Sequence, residues 1–162
     1  MKKCTLIALL FIFPLFIFCQ GQEKNKIDWI SLDKAEEYAK KYDKSVLIFF
    51  HKKNCEYCEK MKKETLNNKE VINIINNNFL PVKINGYTKD TIIYNGVTYG
   101  NQQPAEHGYG WRHDFFFELI KENKTITAPT IVIMDKNHQK ITQFTGHQPR
   151  QLLIRNLKKI VK

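Results

Sequence analysis

The chain has 162 residues, of which 43% are hydrophobic and 26% are charged, and it carries a formal net charge of +10. This length suits one domain, and the composition excludes a disordered or collagen-like chain. Because the basic residues are scattered, without an arginine-rich run or a base-stacking aromatic motif, nucleic acid is not an expected partner.

The first 21 residues have the pattern of a signal peptide. Lys2 and Lys3 form a basic start, residues 4–18 are almost wholly apolar, and Cys19-Gln20-Gly21 matches a small-x-small cleavage site. The apolar stretch is shorter than the roughly 20 residues that cross a bilayer. We therefore expect removal of residues 1–21 and export, to the periplasm of a Gram-negative bacterium.

Two alternatives are open at this end of the chain. Cleavage after Cys19 would place Ile17 and Cys19 at the two positions that the signal peptidase recognises before the cut. Lipidation of Cys19 would instead attach the protein to a membrane, although Phe18 is larger than the small residue that usually precedes such a cysteine. Membrane association is expected only in that case. If the cut follows Gly21, the net charge falls from +10 to +8 and only Cys55 and Cys58 are kept.

The mature chain is predicted to begin with a flexible leader, residues 22–27, followed by one domain over residues 28–162. Asp28-Trp29-Ile30 predicts a short strand. Ser31 is a typical helix N-cap residue, and after it apolar residues recur at spacings of three and four, with acids early and lysines late. This pattern predicts a helix over Leu32–Tyr42.

The next segment carries the most informative motif. Val46–Phe50 is a short, continuous apolar run, which predicts a strand buried on both faces. Cys55 and Cys58 follow it and precede a helix-compatible stretch, residues 59–65. At the first turn of a helix, unpaired N–H groups and the helix dipole favour a thiolate, and two cysteines at this spacing can form a disulfide. A bridge across two residues constrains the unfolded chain very little, so the pair indicates redox chemistry.

The remaining regular elements follow from apolar patterns. Lys69–Asn77 predicts a helix and Phe79–Ile84 a second apolar strand, so the order of elements implies a parallel pair of strands. Thr130–Met134 and Lys140–Phe144, separated by a polar turn, predict an antiparallel hairpin. Arg150–Val161 carries an apolar stripe and predicts a last helix.

A long insert, about residues 86–124, is predicted before that hairpin. Thr91–Tyr94 and Val97–Tyr99 predict two short strands around Asn95-Gly96, which favours a type I′ turn. A helix is expected near His113–Asn123. The polar, aromatic loop between this small hairpin and the helix is a candidate lid over the two cysteines, or else surface decoration.

These features together resemble the thioredoxin superfamily. The resemblance rests on the buried strand, on Cys55-x-x-Cys58 opening a helix, on Ala128-Pro129-Thr130 before the hairpin strand and on Gly146 after it. The motif Cys-x-x-Cys-x-x-Met and the Lys-rich first helix resemble, more narrowly, exported bacterial thioredoxin-like proteins related to the C-terminal domain of DsbD. The resemblance implies an α/β thioredoxin fold, a central mixed β-sheet flanked by helices, with the long insert before the cis-proline hairpin.

The resemblance also implies roles for individual residues. In that family the first cysteine attacks a disulfide and the second resolves the mixed disulfide, so Cys55 is the expected nucleophile and Cys58 the resolving thiol. Pro129 matches the family's cis-proline, and the backbone of Ala128 is expected to pair with a bound client strand. Tyr57 either contacts clients or simply packs. No cofactor is implied besides the redox-active disulfide, and the expected partners are protein clients and a protein electron donor or acceptor.

Two positions depart from the family pattern. Asn54 stands where thioredoxins usually have Trp, and Phe49 stands where many have a buried acid. The proton acceptor for the resolving thiol is therefore open, with Glu59, Glu64, Lys83 or water as candidates.

Metal binding is an alternative use of the cysteines. His51, Cys55 and Cys58 are the types of residue that bind zinc or copper. A closed zinc site needs a fourth ligand, and the other histidines show no paired spacing, so we predict no metal site and expect these histidines at the surface: His107, His113, His138 and His147.

The sequence thus predicts an exported thiol:disulfide oxidoreductase that acts on protein thiols or disulfides, as a reductase. The alternative is a thioredoxin-like client-binding module or chaperone with little redox turnover.

Overall fold

The computed structural model of the chain describes residues 25–101, 112–120 and 127–161. The predicted signal peptide, the first three residues of the leader and the candidate lid from residue 102 to residue 111 lie outside the described residues. Within the described ranges, no helix combines the length and the apolar composition needed to span a membrane.

The helices and strands follow the order that the sequence predicts. In chain order they are α1 (Leu32–Tyr42), β1 (Ser45–His51), α2 (Glu56–Met61) with a π-helical continuation (Lys62–Leu66), α3 (Lys69–Asn78), β2 (Phe79–Asn85), β3 (Ile92–Tyr94), β4 (Val97–Tyr99), α4 (Asp114–Ile120), β5 (Thr130–Met134), β6 (Lys140–Thr145) and α5 (Arg150–Ile160). Most of the predicted ends of helices and strands lie within one residue of the observed ends. The π-helical turn has no counterpart among the sequence predictions.

Four of the strands form the central mixed sheet, in the order β2-β1-β5-β6. β1 is parallel to β2 and antiparallel to β5, and β5 and β6 form the predicted antiparallel hairpin. Because β1 is paired on both sides and its residues 46–50 are all buried, its apolar run has no polar face. The central mixed sheet flanked by helices is confirmed.

Side chains of β1 alternate between the two faces of the sheet, and each face has its own core. Ile48 and Phe50 pack in a cluster with residues of α1 and α4. Leu47 and Phe49 pack in the opposite cluster with residues of α2, α3 and α5. The helix of the insert, α4, therefore completes one layer of the fold. α5 ends one residue earlier than predicted, because Val161 lies beyond the helix end, and the side chain of Val161 is exposed.

The strand predicted at Asp28-Trp29-Ile30 is wrong. Only Ile30 pairs with the sheet, as an isolated bridge to Val82 in which the N–H of Ile30 donates to the carbonyl of Pro81 at 2.9 Å. The N–H of Trp29 instead donates to the carbonyl of Ile27 at 3.0 Å. With this local bond on one side and α1 beginning at Leu32 on the other, the segment is too short to form a ladder.

The insert is held by one histidine that was expected at the surface. His113 is fully buried directly before α4. Its Nδ1 accepts a hydrogen bond from the N–H of Phe115 at 3.2 Å, and its Nε2 lies 3.0 Å from the carbonyl oxygen of Asp90. The ring therefore satisfies one unpaired N–H at the start of α4 and connects the helix to the segment before β3.

Asn95 and Gly96 both have positive φ angles, 49° and 73°, between β3 and β4. This confirms the predicted type I′ turn, which requires a positive φ at both central residues.

Gly86 is expected to be intolerant of any side chain. A Cβ atom there would come within 2.6 Å of Cδ1 of Phe116, and that ring is fully buried and stacked on Phe50 with centroids 4.4 Å apart. Because the ring cannot move without disturbing the core, Gly86→Ala should lower the free energy of unfolding by about 1–3 kcal/mol.

Gly100→Ala is the matched control, since no described atom lies within 4 Å of the Cβ that it would add. We expect its stability to stay within about 0.5 kcal/mol of the parent protein. Urea unfolding followed by circular dichroism measures both variants, and equal midpoints would contradict the prediction.

Candidate functional site

The two cysteines lie where the chain turns from β1 into α2. Asn54 turns the backbone with a φ angle of 55°. Cys55 then occupies the N-cap position of α2 in an extended conformation, and its Sγ accepts a hydrogen bond from the N–H of Cys58 at 3.2 Å. The sulfur of Cys55 therefore stands at the positive end of the helix, where a thiolate is favoured.

Cys55 and Cys58 are joined in a disulfide, with Cα atoms 5.2 Å apart. Cys55 is partly exposed, whereas Cys58 is completely buried. Only Cys55 is accessible to a large partner, which fits the predicted order of a first, attacking cysteine and a second, resolving one.

The segment before β5 lies beside the disulfide, because β5 is the neighbour of β1 in the sheet. The Ala128–Pro129 peptide bond is cis, as the resemblance implies. The carbonyl oxygen of Ala128 lies 3.7 Å from Sγ of Cys55, although the two residues are 73 positions apart. The carbonyl of Pro129 accepts a hydrogen bond from the N–H of Gly146 at 2.8 Å. The loop is thus fixed by the hairpin that follows it.

Tyr57 lies in the first turn of α2 with 63% of its surface exposed. It therefore does not pack as a core residue. An exposed aromatic ring between the two cysteines is suited to contact a molecule that approaches the disulfide.

The acids and the lysine considered as proton acceptors for Cys58 are engaged or exposed. The carboxylate of Glu59 accepts a hydrogen bond from Nζ of Lys62 at 2.7 Å, and this contact holds the pKa of Glu59 below its usual range. Glu64 lies 3.9 Å from Nε2 of His147. Lys83 on β2 is paired in register with Phe49 on β1, and the side chain of Lys83 is exposed.

His51 also lies near this site, although the sequence indicates it only as a candidate metal ligand. It ends β1 on the same face as Phe49, and the two rings stack with centroids 6.0 Å apart. Burial, followed by the charges of Lys62 and Lys83, lowers the pKa of His51. Its position two residues beyond Phe49 on a strand is the sequence signal that could have placed it on this face.

Over the part of the chain that the structure describes, no group of three or more His, Cys, Asp or Glu side chains is arranged to hold a metal ion.

The model of a family described as a thioredoxin-like domain matches residues 32–160. Among solved structures, the chain is similar to a DsbH oxidoreductase, with 18% identity, a TM-score of 0.60 and coverage of 97% of this chain and 94% of the other. It is also similar to a thioredoxin from Thermus thermophilus, with 18% identity, a TM-score of 0.57 and coverage of 85% and 88%.

A disulphide isomerase from Xylella fastidiosa Temecula1 shares 16% identity and a TM-score of 0.55, over 80% of this chain and 88% of the other. At these identities the likeness establishes a common fold. No curated protein matches the sequence.

Proposed function

Because the chain belongs to the thioredoxin-like family, we propose that it is an exported thiol:disulfide oxidoreductase that reduces protein disulfides through Cys55 and Cys58. The observation that carries this proposal is the unequal burial of the pair. A partly exposed cysteine at a helix start, bonded to a fully buried one, suits an exchange in which one thiol meets the client and the other completes the reaction.

In the proposed reaction the protein starts as a dithiol. The thiolate of Cys55 attacks one sulfur of a client disulfide, and the other client sulfur leaves as a thiolate. Cys58 then loses its proton and attacks Sγ of Cys55, which forms the Cys55–Cys58 disulfide and releases the second client sulfur. Two electrons pass to the client, and another protein must return them to the pair. No small cofactor takes part.

The client is proposed to bind as an extended strand beside the cis-proline loop. The backbone of Ala128 lies next to the sulfur of Cys55, where a client strand that pairs with it would bring its own disulfide within reach. The exposed ring of Tyr57 adds apolar contact on the helix side. Clients of this kind are recognised by their backbone more than by their sequence.

Single substitutions of the cysteines distinguish the proposed enzyme from the alternative function, a client-binding chaperone. The protein is expected to catalyse the reduction of insulin by dithiothreitol. We expect Cys55→Ser to abolish this catalysis, because the attacking thiol is lost. Cys58→Ser should instead accumulate a mixed disulfide with the client, seen by mass spectrometry under non-reducing conditions. The two variants are controls for each other because each removes one sulfur.

The same variants are then assayed for suppression of client aggregation. A chaperone would keep this activity in Cys55→Ser and would show no catalysed insulin reduction in the parent protein, and that result would overturn the proposed enzyme.

The direction of electron flow is proposed from the resemblance to exported relatives of the DsbD C-terminal domain. A reductase of this kind should have an equilibrium reduction potential for Cys55–Cys58 near that of thioredoxin, about −270 mV. Titration of the pair in dithiol buffers measures it. A value between about −120 and −180 mV would identify an oxidant or isomerase instead.

Export is proposed from the basic and apolar pattern of residues 1–21. The mature protein from a Gram-negative host should then begin at Gln22, and intact-mass spectrometry of the periplasmic fraction measures this. A diacylated protein that begins at Cys19 would show membrane anchoring, and an uncleaved protein in the cytoplasm would contradict export.

A further inference from the structure

The proposed function imposes a chemical requirement on Cys58, and the inference that follows rests on that function. Cys58 is fully buried, and burial disfavours a thiolate. It must nevertheless lose its proton to attack the mixed disulfide. A base beside it would make this step fast at neutral pH.

Other groups near α2 are poorly suited to act as this base. Glu59 is exposed and bonded to Lys62, which holds its carboxylate charged and weakly basic. Glu64 is exposed and lies beside His147, further along the π-helical turn. The ammonium group of Lys83 has no lone pair to offer.

His51 and Cys58 lie toward the same end of the packed pair formed by β1 and α2. Met61 packs in the same core cluster as Phe49. Cys58 lies three residues before Met61 on the buried face of the helix, or about 4.5 Å nearer its start. His51 lies two residues beyond Phe49, or about 6.6 Å nearer the end of the strand. Because the chain reverses direction between β1 and α2, these two displacements run the same way.

His51 also has a nitrogen available. Its Nδ1 atom is buried and makes no hydrogen bond within the described part of the chain. A buried polar atom without a partner calls for an explanation, and a catalytic role is one such explanation when the atom lies near a reactive site.

The charges that face His51 favour its neutral form. Burial has the largest effect, the cations Lys62 and Lys83 act in the same direction, and the Lys52 backbone and the Glu59 carboxylate oppose them more weakly. The pKa of the ring is lowered as a result, so that the imidazole is neutral at pH 7 and able to accept a proton.

We propose that His51 is the proton acceptor for Cys58 when the mixed disulfide is resolved, directly or through one water molecule. The thiol proton moves to Nδ1, and the Cys58 thiolate forms the bond to Sγ of Cys55. The bond from Cys55 to the client breaks, and its electron pair leaves with the client sulfur. The imidazolium then returns its proton to that sulfur or to solvent.

A cleft gives solvent access to this face of the sheet. It encloses about 280 Å³ and is lined by Phe49, Lys62 and Lys83 among others. The two lysines that face His51 therefore border water, and the returning proton can leave toward this cleft.

The experiment measures resolution separately from attack. Reduced protein is mixed with a peptide disulfide, quenched with acid at successive times, and the mixed disulfide is quantified by mass spectrometry. We expect resolution in His51→Gln to be about 100-fold slower at pH 7. Its rate should rise about tenfold per pH unit, as expected when the proton is lost to hydroxide, whereas the parent rate is nearly flat around neutrality. An unchanged rate and pH profile would overturn the proposal.

The attack step provides the control. Cys58→Ser with and without His51→Gln should react with the peptide at equal rates, because attack uses only Cys55. A loss of attack as large as the loss of resolution would show a general distortion and overturn the proposal. His51→Phe, which keeps a ring against Phe49, covers the case in which His51→Gln fails to fold.

Two outcomes distinguish this proposal from the function on which it rests. A parent protein that never forms a mixed disulfide contradicts the proposed oxidoreductase. A parent protein that forms and resolves one, with His51→Gln resolving equally fast, contradicts only the role of His51.

Discussion

The pairing of β1 on both sides is the constraint on which the site depends. Its neighbours β2 and β5 fix the strand along its whole length, so the direction in which the chain leaves at His51 is also fixed. One turn at Asn54 then sets the start of α2 against the end of the sheet. Cys55 is thereby left partly exposed and Cys58 fully buried, and the proposed division of roles between the two cysteines rests on this difference in burial.

The same strand brings together segments that are distant in sequence. β5 lies beside β1, so the loop that precedes β5 must meet the turn that follows β1. This explains why the Ala128 carbonyl reaches Cys55 across 73 residues. The two faces of the sheet also differ in what covers them. α4 and the hairpin of the insert add core on the α1 side of the sheet, whereas the helix that carries the buried cysteine, α2, packs on the other side.

The structural features that the sequence predicts correctly are those that depend on neighbouring residues in the chain. The apolar run of β1, the cysteine spacing and the Asn95-Gly96 turn each encode their own conformation, and the structure follows them. The cis bond at Pro129 came only from resemblance, because an X–Pro bond is cis in about one case in twenty. The burial of His113 depends on the distant carbonyl of Asp90. The face on which His51 lies follows from its spacing from Phe49. Its position relative to Cys58 depends on how α2 lies over β1, which spacing alone does not reveal.

The bridge between Ile30 and β2 has a consequence for association between molecules. β2 is an edge of the sheet, where unpaired backbone groups can template a strand from another chain. Pro81 has no N–H, and its carbonyl is already bonded to Ile30. Two residues further on, the exposed Lys83 adds a charge. An adventitious strand would find few backbone partners along this part of β2, so this border of the sheet resists the edge-to-edge growth that leads to aggregates.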